Sequence, residues 1–208
     1  MKKGLCITYE VEGALYVNIT NKCSNRCEFC IRNNGDGAYG SDPLWLEREP
    51  SVTEVVEDIL SQDLTKYREI VFCGYGEPSY RLVDIREIVK AVKEVYPNVK
   101  VRINTNGQSD LILKTDTAKL YEGVFDAVSI SLNSPFAAKY QEICKSVYGE
   151  EAFYAILSLA KKLKDKIPSV VFSVVDRFIS AEEIEECEKI ALQCGVPLRV
   201  RSYIGKND

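Results

Sequence analysis

Histidine is absent from this sequence, and tryptophan and methionine each occur once. The lack of histidine removes the side chain that most often transfers protons near neutral pH, and with it the commonest metal-binding nitrogen. Any bound metal must therefore rest on sulfur or oxygen. The sequence also lacks an apolar run long enough to span a bilayer, and residues 1–10 contain no cleavable leader pattern. We therefore expect a cytoplasmic protein that does not enter a membrane.

Neither sign of charge is in large excess, since 27 basic residues face 31 acidic residues and the formal net charge is -4. This balance disfavours a surface built to bind the phosphates of nucleic acids. The 208 residues are 46% hydrophobic, which is enough for a large core in one domain.

Strand-like and helix-like segments alternate along the chain. The predicted strands are 15–20, 69–73, 99–104, 127–132, 170–175 and 198–203, and a turn at Glu12-Gly13 makes an N-terminal hairpin with 5–11. Helices are predicted at 83–96, 115–121, 135–145 and 151–163 and after capping boxes that begin at Ser51 and Ser180. This order predicts an α/β fold, a partial (β/α)6 TIM-like barrel with an N-terminal β-hairpin, and a flat doubly wound sheet is the alternative. We expect a single domain, 1–208, in which 1–14 supply the hairpin strand and turn and 15–203 the partial barrel.

Three of the eight cysteines, Cys23, Cys27 and Cys30, lie within one short segment directly after the first barrel strand. Clustered cysteines in a chain without secretion signals indicate a metal site more than a disulfide framework. Thiolates hold iron-sulfur clusters, and three of them leave one iron of a 4Fe-4S cluster open. The alternatives are a zinc site, with Cys73 as the nearest candidate for a fourth ligand, or three unrelated cysteines of the core. The spacing alone leaves both metals open.

The spacing C-x-x-x-C-x-x-C, with the aromatic Phe29 before the third cysteine, resembles the signature of the radical S-adenosylmethionine (SAM) superfamily. The resemblance implies an oxygen-sensitive 4Fe-4S cluster that binds SAM, reduces its sulfonium and yields a 5'-deoxyadenosyl radical for hydrogen abstraction. It also implies a flavodoxin or a ferredoxin as electron donor. The cofactor would carry out the radical chemistry, and the protein would bind and orient the cofactor and the substrate.

Further residues at the predicted strand ends fit this resemblance. In Gly74-Tyr75-Gly76-Glu77-Pro78, glycines allow a close backbone approach to a ligand and Glu77 offers an acceptor for an ammonium group. The segment resembles the family's G-G-E-P element, with Tyr75 inserted. Later strand ends add candidate cofactor-binding residues: Asn104, Asn106, Ser131, Asn133, Ser173 and Asp176. Turns and helix caps are the ordinary explanation for such residues taken singly.

The chain most resembles the small TatD-associated radical SAM proteins, a resemblance that implies no established substrate. Arg199, Arg201 and Tyr203 are candidates for binding a small anionic substrate, although alternation equally allows a solvated or salt-bridged pair of arginines. The long, glycine-rich connection 31–50 contains Trp45 and is expected to cover the cluster or close the open edge of the barrel.

Two other functions stay open at this point. One is a glycyl-radical activating enzyme for a partner protein. The other is a noncatalytic zinc-binding interaction module, which metal analysis would distinguish from an iron-sulfur protein.

Overall fold

The computed structural model describes residues 2–203 and 205. Within these residues the strands form one seven-stranded sheet in the order β1 to β7. The strands are Thr8–Val11, Ala14–Val17, Ile70–Phe72, Val101–Thr105, Ala127–Ser131, Ser169–Val175 and Leu198–Arg201. β1 pairs with β2 antiparallel, and each later strand pairs with its predecessor in parallel. The predicted order, an N-terminal hairpin followed by parallel strands, is confirmed.

The hairpin turn is formed by two residues with positive φ, Glu12 at 49° and Gly13 at 73°. Two such residues in succession match the right-handed twist of the flanking strands and close a tight hairpin. β1 therefore lies at one edge of the sheet and β7 at the other, and no strand in the described part of the chain joins these edges.

The α-helices that connect the strands carry their sequence signals at both ends. They are α1 to α7 in chain order: Val52–Leu60, Leu82–Val95, Ser109–Leu113, Ala118–Tyr121, Ala137–Cys144, Glu151–Leu163 and Ala181–Cys194. Both predicted capping boxes form, at Ser51 with Glu54 and at Ser180 with Glu183. Gly195 ends α7 with a positive φ of 74°, the usual conformation of a glycine after a helix.

One stretch of the connection between β4 and β5 differs from the prediction. The helix α3 was not predicted, and the helix predicted at 115–121 is the shorter α4. Lys114 ends α3 in the left-handed conformation at φ 54°. The Asp110 carboxylate then accepts hydrogen bonds from both the backbone and the hydroxyl of Thr117. This local capping divides the stretch into two short helices.

Alternation along β5 and β6 gives the sheet one apolar face and one polar face. Val128, Ile130 and Phe172 are fully buried in the core beneath the helices. Ser129 and Ser173 point to the opposite face and line a cavity. The interior of the partial barrel is therefore polar, and its parallel strands all end at one rim, where the active sites of β/α barrels lie.

No helix in the described residues combines the length and apolar character required to cross a lipid bilayer. The predicted domain 1–208 includes residues 1, 204 and 206–208, which lie outside the described residues. The division of that domain at residue 14 stays a prediction.

Candidate functional site

The segment with the three clustered cysteines follows β2 and lies against the carboxyl end of α5. The backbone N–H of Arg26 donates to the carbonyl of Cys144 at 2.9 Å, and the N–H of Glu28 donates to the carbonyl of Ile143 at 3.0 Å. The last carbonyls of a helix have no partners within the helix. Here they hold the loop between Cys23 and Cys30, hereafter the cysteine loop.

The thiols of the cysteine loop are half-buried and none is in a disulfide. Burial and the nearby Glu77 carboxylate raise the pKa of Cys23 to about 12. A hydrogen bond with the thiol of Cys144, together with burial, raises the pKa of Cys27, and burial raises that of Cys30. The thiols of the metal-free loop are therefore protonated at neutral pH, and binding of a metal must displace their protons.

An all-sulfur donor set, in a chain without histidine, suits an iron-sulfur cluster. In the described part of the chain, no three acidic or thiol side chains converge where a single metal ion would sit. Three thiols on one short loop, with no histidine in the chain, supply the sulfur ligands that an iron-sulfur cluster uses.

A cavity of about 220 Å³ lies beside the cysteine loop. Six of the predicted site residues line it, namely Cys27, Cys30, Phe29, Gly74, Tyr75 and Asn104. The Phe29 ring packs on Phe178 with ring centroids 5.1 Å apart. Cys73 also faces this cavity, so the end of β3 contributes a further thiol to the wall. The cavity joins the cysteine loop to the carboxyl ends of β3 and β4.

The glycines after β3 pack directly on the segment that follows β2. A Cβ atom at Gly74 would overlap the side chain of Asn18, and one at Gly76 would overlap the carbonyl of Thr20. Close approach to a ligand was the predicted reason for these glycines. In the structure these glycines have an additional role, because they allow the segment after β3 to pack closely on Asn18 and Thr20.

The carboxylate of Glu77 is buried and accepts hydrogen bonds from three protein groups. These are the Thr105 hydroxyl at 2.7 Å, the Ser79 backbone N–H at 3.0 Å and the Asn106 backbone N–H at 2.6 Å. Burial raises the pKa of this carboxyl group. Glu77 therefore ties the segment after β3 to the segment after β4. Its predicted contact with an ammonium group stays a prediction.

Tyr75 anchors the long connection 31–50. Its hydroxyl lies 2.9 Å from the carbonyl oxygens of both Gly35 and Gly37. The Trp45 ring stands edge-on to the Tyr75 ring with centroids 5.3 Å apart, and the Arg32 guanidinium lies 5.9 Å from the Trp45 centroid. The connection is thereby folded against the cysteine loop and the segment after β3, as a cover for this end of the barrel.

The other predicted residues lie in different parts of the barrel end. Asn104, Ser131 and Ser173 line a second cavity, of about 340 Å³, inside the barrel. Asn106 is buried and donates to the Ser24 hydroxyl at 2.8 Å, which links the segment after β4 to the cysteine loop. Asp176 is exposed and accepts from the backbone N–H of Tyr203 at 3.0 Å.

Asn133 adopts the left-handed conformation at φ 58°. It is buried, and its amide nitrogen lies 3.6 Å from the Cys144 sulfur. It does not line either cavity.

A buried polar network beneath the cysteine loop was not predicted. The Tyr140 hydroxyl accepts from the side-chain amides of Asn25 at 3.0 Å and Gln108 at 2.8 Å. Gln108 also donates to the Asn25 side-chain carbonyl at 2.9 Å and accepts from the Ser146 hydroxyl at 3.0 Å. These residues are far apart in sequence and share no periodic pattern. The Asn25 position inside the cysteine motif was the one signal available.

Comparison with known proteins gives concordant results. A family model described as the radical SAM superfamily matches residues 17–190. The GTP 3',8-cyclase of Aquifex aeolicus is 27% identical over 91% of this chain and 56% of its own length. The tRNA-2-methylthio-N(6)-dimethylallyladenosine synthase of Alkaliphilus oremlandii is 24% identical over 78% of this chain and 33% of its own length.

Among solved structures, Streptococcus suis SuiB bound to S-adenosylmethionine superposes with a TM-score of 0.64 at 19% identity. That match covers 91% of this chain and 38% of SuiB, and it concerns the fold, here the partial barrel. The chain thus spans about half of one of these curated relatives and a third of the other.

Proposed function

Because this chain belongs to the radical SAM superfamily, we propose that it is an enzyme that reductively cleaves SAM and abstracts a hydrogen atom from a substrate. The observation that carries the proposal is the position of the cysteine loop, because Cys27 and Cys30 line a cavity shared with the carboxyl ends of β3 and β4. When bound, the 4Fe-4S cluster of this family supplies one electron to SAM, which then gives the 5'-deoxyadenosyl radical.

Cys23, Cys27 and Cys30 are the residues proposed to hold the cluster. Their thiols would lose their protons on binding iron, and with three protein ligands the cluster would remain open to SAM. The carbonyls at the end of α5 fix the loop backbone, so the loop need not be ordered by the metal alone. The cover formed by 31–50 limits access of water and oxygen to this end of the barrel.

Gly74 and Asn104 are proposed to contact SAM, since both line the cavity beside the thiols. Phe29 supplies an apolar wall on the same side. Glu77 and Asn106 act behind this wall. Their hydrogen bonds join the segment after β3, the segment after β4 and Ser24 of the cysteine loop, and they keep these groups at a constant separation.

The electron donor is proposed to be a flavodoxin or a ferredoxin, in the cytoplasm. The finer similarity to small TatD-associated radical SAM proteins is likewise a proposal, supported by the Gly74-Tyr-Gly-Glu-Pro78 segment and the arginines of the last strand. The names of the relatives indicate that one acts on GTP and another on tRNA. They do not assign either substrate to this chain.

A matched pair of cysteine variants tests the proposal. Anaerobic reconstitution of the wild-type chain is expected to give about four irons per chain and 5'-deoxyadenosine after reduction with dithionite. Cys27→Ala is expected to lose both the cluster and the product. Cys187→Ala, which removes a fully buried thiol of α7, should retain both. Full activity in Cys27→Ala, or a wild-type chain that binds one zinc and yields no 5'-deoxyadenosine, would contradict the proposal.

A further inference from the structure

The second cavity, of about 340 Å³, occupies the interior of the barrel and is lined by polar side chains. It shares residues with the cavity beside the cysteine loop, namely Tyr16, Tyr39, Asn104, Arg201 and Ser202. A molecule bound inside the barrel would therefore adjoin the proposed SAM site. The side chains that line the interior decide which chemistry such a molecule must have.

Three arginines line this cavity. The charge of one of them, Arg102, is neutralised by an ion pair within the protein. Its guanidinium binds the Glu69 carboxylate through two hydrogen bonds, of 3.0 and 2.9 Å. It also donates to the side-chain carbonyl of Asn104 at 2.7 Å. With its charge and donors engaged, Arg102 is a structural part of the wall.

Arg201 and Arg199 are different, because neither forms an ion pair or a hydrogen bond through its side chain with any residue from 2 to 203 or 205. Arg201 is half-buried, whereas Arg199 is exposed at the edge of the cavity. The Nε atom of Arg201 is buried without a partner. Burial, and to a lesser extent the charge of Arg199, lower the pKa of the Arg201 guanidinium. Glu12 lines the same cavity but pairs with neither arginine.

A buried donor without an acceptor loses the free energy of its hydration and recovers nothing from the protein. For a donor that belongs to a charged group this cost is larger, and it applies to the buried Nε of the half-buried Arg201 side chain. A guanidinium presents forked donors that match a carboxylate or a phosphate. The cavity adds the hydroxyls of Ser131 and Ser173, whose side chains make no hydrogen bond to the described residues.

We propose that Arg201 and Arg199, with Ser131 and Ser173, bind an oxyanion of the substrate, either a carboxylate or a phosphate. The enzyme would therefore act on a small anionic molecule that enters the barrel with this group towards β7. The inference rests on the proposed function, since it assigns the interior cavity to the molecule from which the hydrogen atom is taken.

Titration with simple anions tests the subsite directly. The cluster-loaded, unreduced protein is saturated with SAM, so that the carboxylate of SAM cannot be the anion detected. Sodium phosphate and sodium acetate are then titrated separately at constant ionic strength, and binding is followed by calorimetry. We expect saturable binding at one site for at least one of the two anions. The tighter anion identifies the phosphate or the carboxylate as the group recognised.

Arg201→Gln and Arg199→Gln are each expected to weaken that binding by about tenfold or more. The control is Arg86→Gln, an exposed residue of α2 that donates to backbone carbonyls at 119 and 120. It should bind the anion as the wild type does. Absence of saturable binding to the wild type, or equal affinity in Arg201→Gln and Arg86→Gln, would overturn the inference.

Arg201→Met separates ligand binding from folding. It removes the buried, unpartnered Nε donor of a half-buried side chain, so the urea midpoint is expected to rise while anion binding is lost. A lower midpoint would mean that the guanidinium stabilises the fold, and would count against the subsite. A wild-type chain that binds the anion but does not cleave SAM would refute the proposed function alone. One that cleaves SAM but binds anions independently of Arg201 would refute this inference alone.

Discussion

The Tyr140 hydroxyl is the point at which α5, the cysteine loop and the segment after β4 meet. Tyr140 is fully buried, and its oxygen accepts from the side-chain amides of Asn25 at 3.0 Å and Gln108 at 2.8 Å. Tyr140→Phe would remove this acceptor with little change in shape. The aromatic packing of the ring on Phe153, with centroids 6.2 Å apart, would remain.

The expected cost follows from the two donors left behind. The Asn25 amide nitrogen would lose its hydrogen bond to the Tyr140 hydroxyl, and the Gln108 amide nitrogen would keep its bond to the Asn25 carbonyl. A buried donor without a partner costs about 1–3 kcal/mol. Since Gln108 stays partly paired, we expect a total loss of about 2–3 kcal/mol. For a domain of this size that lowers the melting temperature by roughly 4–12 °C.

Urea denaturation of the metal-free protein under reducing conditions measures this cost. Tyr154→Phe is the control, because Tyr154 lies on α6 with 60% of its surface exposed and should change the free energy of unfolding by no more than about 0.5 kcal/mol. Because Asn25 lies between Cys23 and Cys27, Tyr140→Phe should also lose iron faster in the reconstituted protein. If its unfolding free energy matched that of Tyr154→Phe, the network would not support the cysteine loop as argued.

Two further predictions concern the segment after β3. Gly76→Ala should lower the free energy of unfolding by about 1–3 kcal/mol in urea denaturation, because the added methyl group overlaps the Thr20 carbonyl. The control is Gly4→Ala, whose added methyl group meets its nearest atom at an ordinary 3.6 Å and should leave the free energy of unfolding nearly unchanged. Equal urea midpoints for the two variants would contradict the close packing at Gly76. Tyr75→Phe removes the donor to the carbonyls at 35 and 37, so hydrogen exchange at 31–50 should quicken while that in β5 stays unchanged. Unaltered exchange there would show that the hydroxyl does not hold the cover.

Local sequence signals were sufficient for the elements that position the site. The capping box at Ser51 and the box at Ser180 each place a helix start, and the structure begins α1 and α7 at the following residue. The helix predicted at 151–163 coincides with α6, because its apolar stripe is continuous and its first turn contains Glu151. In these helices the helix propensity, the capping residues and the pattern of burial all favour the same structure, so tertiary contacts do not change the local preference.

Such local signals do not predict polar contacts between residues that are far apart in the sequence. Gln108 and Tyr140 are 32 residues apart and Asn25 and Tyr140 are 115 apart, and no periodicity connects them. Their burial as a set follows from the barrel, which brings the ends of separate strands together. The same holds for Glu77, whose acceptor role was predicted for a ligand and which the structure satisfies with backbone and hydroxyl donors.

The two polar regions at this end of the barrel differ in how many of their buried polar atoms have hydrogen-bond partners. Below the cysteine loop, the buried oxygens and amides around Tyr140 pair with one another, so the loop is held without any ligand. In the interior cavity, the Arg201 guanidinium has no such partner. A protein that satisfies one set of buried groups and leaves the other open has a rigid support beside a site that a ligand would complete. The paired network thus maintains the geometry of the cysteine loop. The unpaired Arg201 guanidinium lowers the stability of the ligand-free protein and is available to bind the substrate oxyanion.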